Sequence, residues 1–371
     1  MVWSFLKRHS WWIIPLVIFD IFLFRWLWNR SPDASSERTA EQAPLHPVAA
    51  HPPPRPLGLL YSYPTNQQDL WDTESLEVFQ ATASGRVESA LYGSTRTRSF
   101  GGRLLPAFHE GIDIASLRRD RRGRPLDAIC AVTAGVVAYI NPIAGNSNYG
   151  SYVVLVHDDP VGQIYTLYAH LARVRNGLQV GDPVVRGDKL GVMGNTPSHI
   201  IPMVRAHLHF EIGVINNSRF AQWYRQEERT PDHGKWHGHN LTGVDPLAVY
   251  GGGGDLLRFS MLDYLRDLEP AYTVVVAVDR LIDYFERYPA LWRGDPYDGT
   301  AMVLTVSEGG VPLSGRTAST SEREKLGKAT VVVLDVNESM LGRNGLRHVV
   351  QRQGEWTWGR NGEYWWSILS F

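Results

Sequence analysis

Two short stretches hold residues whose types and spacing can do chemistry. The first is His109-Glu110-Gly111-Ile112-Asp113-Ile114-Ala115. Side chains in a strand alternate between faces, so His109 and Asp113 share one face while Ile112 and Ile114 turn to the core. The second is His207-Leu208-His209-Phe210-Glu211-Ile212. The same alternation puts His207, His209 and Glu211 on one face and Leu208, Phe210 and Ile212 on the other. At a rise of about 3.3 Å per residue, imidazoles two positions apart sit roughly 7 Å from one another. That separation suits one ring on a metal and its neighbour on what the metal binds.

A catalytic zinc takes three nitrogen or oxygen ligands and keeps a fourth position open. His109, Asp113 and one of His207 and His209 supply that set with no thiolate to close it, and this ligand chemistry favours a single zinc per chain. The remaining histidine is then free to act as a general acid or base, with His170, at the end of the run Tyr165–His170, as its candidate partner. Glu211 shares the ligand face and can orient His207 or His209 from behind.

These residues need β structure to carry them, and the surrounding chain offers it. Val132–Ile140, Tyr152–His157, Ile164–His170 and Val204–Val214 are short β-rich runs, separated by clusters such as Asn141–Gly150 and Asp158–Gly162. No helix of more than two turns is needed before Phe220. His157, just ahead of Asp158-Asp159, reads as a turn residue.

From about Tyr92 to Tyr250 the sequence resembles the lysostaphin/LytM-type zinc metallopeptidases, many of them murein endopeptidases. The resemblance rests on FHEGIDIA, the AVTAGVVAYI strand, YGSYVVLVH, YTLYAHL, VRGDKLGVMGNT, HLHFEI and DPLAVY, in that order along the chain. It implies a small antiparallel β sheet with a narrow groove, His109, Asp113 and His209 as zinc ligands, and His170 and His207 as catalytic histidines. The implied activity is hydrolysis of peptide cross-links or stem peptides of bacterial peptidoglycan. Two other readings of the same groove are a non-hydrolytic module that activates other wall hydrolases and a zinc carboxypeptidase acting on stem peptides. One stretch departs from the family: Pro197–Ala206 (PSHIIPMVRA) stands where a short Gly/Ser/Thr-rich approach to HLHFE is usual, so the groove rim differs.

Composition bounds the rest. The chain has 371 residues, with 37 Lys+Arg against 38 Asp+Glu and a formal net charge of −1, a balance that argues against a nucleic-acid partner. The single cysteine, Cys130, rules out a disulfide scaffold and reads as core packing. At the N-terminus, Lys7 and Arg8 precede the apolar stretch Trp11–Phe24, and Arg25 and Arg30 follow it. Residues 1–30 therefore read as an uncleaved signal-anchor that spans the inner membrane and leaves the folded bulk on the exported, periplasmic side of the envelope. Residues 31–57, rich in proline, read as a tether, residues 58–250 as the zinc peptidase β domain and residues 251–371 as an α/β or α+β domain that could dock an envelope protein.

Finer expectations are a short helix over Gln67–Glu77, helical spacing from Leu256 to Leu268, and a helix from an Asp279 cap through Tyr288. Strand-like runs follow at Ala301–Val306, Thr330–Val336, Leu346–Gln351 and Tyr364–Phe371, with Asn361-Gly362 as a hairpin turn. His233, His237 and His239 have ligand-like density but sit in a Gly/Pro-rich insertion, and read as an exposed loop over the groove. No G-x-S-x-G elbow and no phosphate-binding loop is present.

Overall fold

The computed structural model describes residues 58–100, 103–229, 233–251, 257–341 and 345–371. The signal-anchor and the proline-rich tether lie outside the described residues, as does Leu256. Among the described residues no helix is long and apolar enough to cross a membrane. Residues 55–371 form one compact unit.

The fold is mostly β, built from several antiparallel sheets. Its centre is the strand His207–Ile215, nine residues buried along their whole length. Gly162–Ala169 pairs along one side of it, followed outward by Tyr152–Asp159, Gly135–Asn141 and Pro183–Val184. The other side is shared end to end by two strands. Ile112–Ala115 pairs with the first half, in the register His207 to Ala115 and His209 to Asp113, and Leu241–Val244 pairs with the second half. Two glycines make that handover fit. A Cβ on Gly243 would fall 1.9 Å from the Glu110 carbonyl oxygen, and one on Gly111 would fall 2.2 Å from that of Phe210.

The strict alternation gives the sheet two different faces. Ile112, Ile114, Leu208, Phe210, Ile212, Tyr168, Val153 and Leu155 join a core that continues through Tyr250 to Val274, Tyr284 and Leu304. Tyr152, Val154, Tyr165, Leu167 and Ala169 line the opposite face under Trp236. That second face carries the histidines.

Beyond residue 257 a four-stranded antiparallel sheet follows, in the order Pro312–Thr317, Ala301–Val306, Tyr272–Ala277 and Val331–Val336. Several local expectations change here. Gln67–Glu77 forms turns instead of a helix. Thr65 Oγ1 accepts from the Gln67 amide, and the Gln67 side chain donates to the Glu77 carbonyl, so side chains take the bonds a helix would use. Leu257–Phe259 is a strand paired with Leu59–Tyr61, and the helix begins only at Met261, capped by Ser260. The next helix is Asp283–Arg287, starting four residues after Asp279, because Asp283 is held by Ser218 and Arg287.

The C-terminal segment is a helix, Arg360–Leu369, and not a strand. Asn361-Gly362 lies in its first turn. The hairpin turn is Gln353-Gly354, both with positive φ, between Val349–Arg352 and Glu355–Trp358.

Candidate active site

Five side chains expected to act together do meet. His109 and Asp113 flank the start of Ile112–Ala115, His209 lies opposite Asp113, His207 begins the central strand, and His170 follows the end of Gly162–Ala169. All five are buried.

His109 Nε2, Asp113 Oδ1 and His209 Nδ1 form a nearly equilateral triangle with sides of 3.1, 3.0 and 3.2 Å. Each is held from behind. The His109 Nδ1–H donates to the Leu91 carbonyl at 2.8 Å. The His209 Nε2–H donates to Glu211 Oε1 at 2.8 Å, and the other Glu211 oxygen accepts from the Tyr165 hydroxyl at 2.7 Å. Arg96 donates to Asp113 Oδ2 at 2.6 Å and also to the Ser89 carbonyl.

With the outer atoms so engaged, the ring lone pairs of His109 and His209 and a carboxylate oxygen converge on one point. Electron-rich atoms this close repel unless a proton or cation lies among them. The edges of the triangle are near the roughly 3.3 Å that separates ligands around a tetrahedral zinc with bonds of about 2.0 Å. The donor set, its spacing and its backing therefore fit zinc, and among the described residues this is the one such group of three.

The electrostatics agree. Burial pushes His109 down to about 4, which keeps its imidazole neutral despite Asp113 nearby. Burial alone would raise the Asp113 carboxyl, but Arg96 and His109 hold it well below the usual carboxylate range. Burial also acts to lower His209, yet hydrogen bonds to Asp113 and Glu211 outweigh it and lift it to about 9. Without a cation the same contacts would favour a proton on His209 beside Asp113, and a bound metal would take that proton's place and leave Nδ1 as a ligand.

His207 and His170 complete the pocket. The His207 Nδ1–H donates to the Arg205 carbonyl at 2.8 Å, which turns Nε2 inward, 3.5 Å from Asp113 Oδ1. The His170 Nδ1–H donates to the Tyr149 carbonyl at 3.2 Å, and its ring centroid lies 4.9 Å from that of His207. His170 has φ +62°, a conformation a histidine adopts only when its surroundings impose it. Burial and the neighbouring imidazoles hold His170 well below its ordinary pKa, and burial lowers His207 as well.

A family model, that of peptidase family M23, matches residues 107–221. This stretch is an M23 peptidase domain. Three solved structures illustrate its likeness. A zinc-containing peptidase from Vibrio cholerae is 24% identical over 33% of this chain and 32% of its own, with a TM-score of 0.24. The catalytic domain of lysostaphin from Staphylococcus simulans is 22% identical over 43% of this chain and 86% of its own, with a TM-score of 0.26. A Ruminococcus gnavus protein described as a glycyl-glycine endopeptidase is 30% identical over 29% of this chain and 39% of its own, with a TM-score of 0.23. This chain thus spans about a third of the length of the Vibrio cholerae protein. No curated protein matches it.

In and just beyond this stretch some residues behave differently from their sequence reading. His157 is not a turn residue. It lies inside Tyr152–Asp159, buried, with its ring bonded to the Ala134 carbonyl and the Thr166 hydroxyl. Of the three histidines in the Gly/Pro-rich insertion, His233 is buried against Tyr139, His237 is half-buried against Phe220 and Tyr224, and His239 is exposed and bonded to Tyr364. Each meets a tyrosine hydroxyl (Tyr139, Tyr224 and Tyr364 in turn), while His237 Nδ1 accepts from the His239 amide. The Val204 end of the expected Val204–Val214 strand is a 3-10 turn, Met203–Arg205, that delivers the carbonyl holding His207.

Arg96 and Tyr149 were not legible as site residues. Neither stands in a ligand-like pattern, and the available signal was position: Thr95–Phe100 pairs with Arg103–Phe108, which runs straight into His109, and Tyr149 sits in the turn before Tyr152–Asp159.

Proposed function

We propose that the chain is a zinc-dependent endopeptidase of the bacterial cell envelope, hydrolysing peptide cross-links or stem peptides of peptidoglycan. The observation that carries this reading is the triangle of inward-facing ligand atoms on His109, Asp113 and His209, each backed by its own hydrogen bond. A zinc ion bound there supplies a Lewis acid that activates water and polarises a carbonyl.

The protein's own groups account for the rest. His207 and His170 each donate Nδ1–H to a backbone carbonyl, so Nε2 is the free nitrogen on both rings. Their neutral form can accept a proton from the attacking water and return it to the departing amine. The same nitrogens, when protonated, can donate to the oxygen that gains charge as the carbonyl is attacked. Arg96 fixes the Asp113 carboxylate, and Glu211 with Tyr165 fixes the His209 ring. All five site residues being present favours hydrolysis over a purely binding role.

The basic residues ahead of Trp11–Phe24 support an inner-membrane anchor with the folded residues on the exported side, and the Pro-rich 31–57 stretch supports a tether that reaches the wall. Residues 251–371 are then available to an envelope partner. The test is digestion of purified murein by the protein with and without a chelator, read by mass spectrometry alongside the bound-zinc content. Chelator-sensitive release of paired stem fragments is expected. Release of single amino acids would make it a carboxypeptidase, and no release with one zinc bound would make it a binding module.

A further inference from the structure

The loop between Ser116 and Asp127 carries a charge that the catalytic groups do not use. Arg118, Arg119, Arg121, Arg122 and Arg124 fall within seven residues with Asp120 as their one acid, in a chain whose formal net charge is −1. The acids in and beside the loop are committed to holding its shape. Asp127 accepts from Ser116 Oγ at 2.6 Å and from the amides of Leu117 and Arg118 at 3.1 and 3.3 Å. Asp120 accepts from the amides of Arg122 and Arg124 at 2.8 and 2.9 Å and from Arg124 Nε at 3.0 Å.

Arg119 is committed too, donating to the carbonyls of Gly123, Met203 and Ala206. It staples the loop to the turn that leads into His207. What remains is Arg118, Arg121 and Arg122, all exposed and, among the described residues, in no ion pair.

The position of this loop ties it to the site. It leaves the strand Ile112–Ala115 at Ala115, the residue paired with His207, so it rises from the end of the sheet where His207 and His170 lie. A segment leaving the metal ligands past His207 runs toward the strand end, Ala115, from which this arginine-rich loop rises. Guanidinium forks recognise carboxylates bidentately, and a rigid backbone lowers the ordering cost of doing so.

We propose that Arg118, Arg121 and Arg122 form a docking site for carboxylates of the substrate lying beyond the scissile bond on the His207 side. This rests on the peptidase reading above. A membrane surface with anionic lipid would attract the same charge, but the loop's origin beside the catalytic histidines favours the substrate.

The test uses the full chain carrying His207→Ala, so that hydrolysis during the measurement is slowed, and measures co-sedimentation with murein sacculi whose carboxylates are free or have been amidated. Amidation is expected to weaken binding by about tenfold, as is R118Q/R121Q/R122Q on untreated sacculi, and the two changes together are expected to cost no more than either alone. Equal binding of untreated sacculi by the parent and the triple variant overturns the proposal, as does a loss that persists on amidated sacculi. Arginine-dependent binding to phosphatidylglycerol vesicles without charge-dependent binding to sacculi also overturns it. If the protein with His207 intact hydrolyses no murein but the carboxylate dependence holds, the peptidase reading fails and the docking site stands.

Discussion

Glu211 Oε1 lies 2.8 Å from His209 Nε2, on the side of the imidazole that faces away from Asp113 and His109. Because Glu211 is anchored in turn by Tyr165, the ring is fixed in the tautomer that leaves Nδ1 as the inward lone pair. Sequence alternation had already put both residues on one strand face, but it left open which histidine the carboxylate served.

Removing that support is expected to cost metal affinity while leaving the three ligands in place. Glu211→Gln keeps the shape and can accept the same hydrogen bond, but loses the charge that strengthens His209 as a ligand. Zinc affinity is expected to fall by about 10- to 100-fold, as is usual for groups behind a metal-bound histidine. Competition with a chromophoric chelator measures it. Unchanged affinity would mean that Glu211 only fills space.

His109 and His207 should separate binding from catalysis. His109→Ala removes one corner of the triangle and is expected to abolish stoichiometric zinc. His207→Ala leaves all three corners and is expected to keep one zinc per chain while activity on murein drops by about 10²–10⁴-fold. Metal analysis and turnover on the same preparations check both. Wild-type hydrolysis by His207→Ala would remove His207 from the mechanism.

What was legible in the sequence, and what was not, follows from the range of the interactions involved. Asp113, His207 and His209 could be placed because a period of two is local and decides the face without knowing the partner strand, whereas His109 lies between strands and is aimed by its bond to the Leu91 carbonyl. One misread segment was Arg360–Leu369. Tyr364, Trp365 and Trp366 favour strands, yet Trp365, Ile368 and Leu369 are buried at helical spacing, and tertiary packing decided for the helix. Asn361-Gly362 looked like a turn. Gly362 is instead small because a Cβ would meet the His348 carbonyl at 2.3 Å, a contact between segments that no local pattern reveals. Arg96 was missed for the same reason: its partner Asp113 is 17 residues away.

Two histidines outside the site predict acid sensitivity. Burial lowers His157 to about 4 and His348 to about 3. Both are neutral in the fold, whereas in the unfolded chain they take up a proton near pH 6.5. The unfolded state therefore binds more protons below about pH 6.5, and stability falls with pH until the folded pKa values are reached. Each histidine contributes a slope of up to about 1.4 kcal/mol per pH unit in that window. Denaturant melts between about pH 7.5 and pH 4.5 should give a shallower decline for His157→Gln than for the parent. Parallel curves would mean that His157 is hydrated enough to protonate in place.

Gly243 offers a test of how the sheet positions the ligands. It has no catalytic atom, and it lies in Leu241–Val244, the strand that takes over from Ile112–Ala115 beside the central strand. Its missing side chain makes room for the Glu110 carbonyl, which a Cβ would approach to 1.9 Å. The obstruction is backbone, so Gly243→Ala can be accommodated only by moving Glu110 and Gly111, the chain between His109 and Asp113. Two losses are therefore expected together: a stability decrease of about 1–3 kcal/mol by chemical denaturation, and weaker zinc binding. If stability fell while zinc affinity stayed at the parent value, the His109–Asp113 spacing would have to be set by the hydrogen bonds to Leu91 and Arg96 instead of by this close approach.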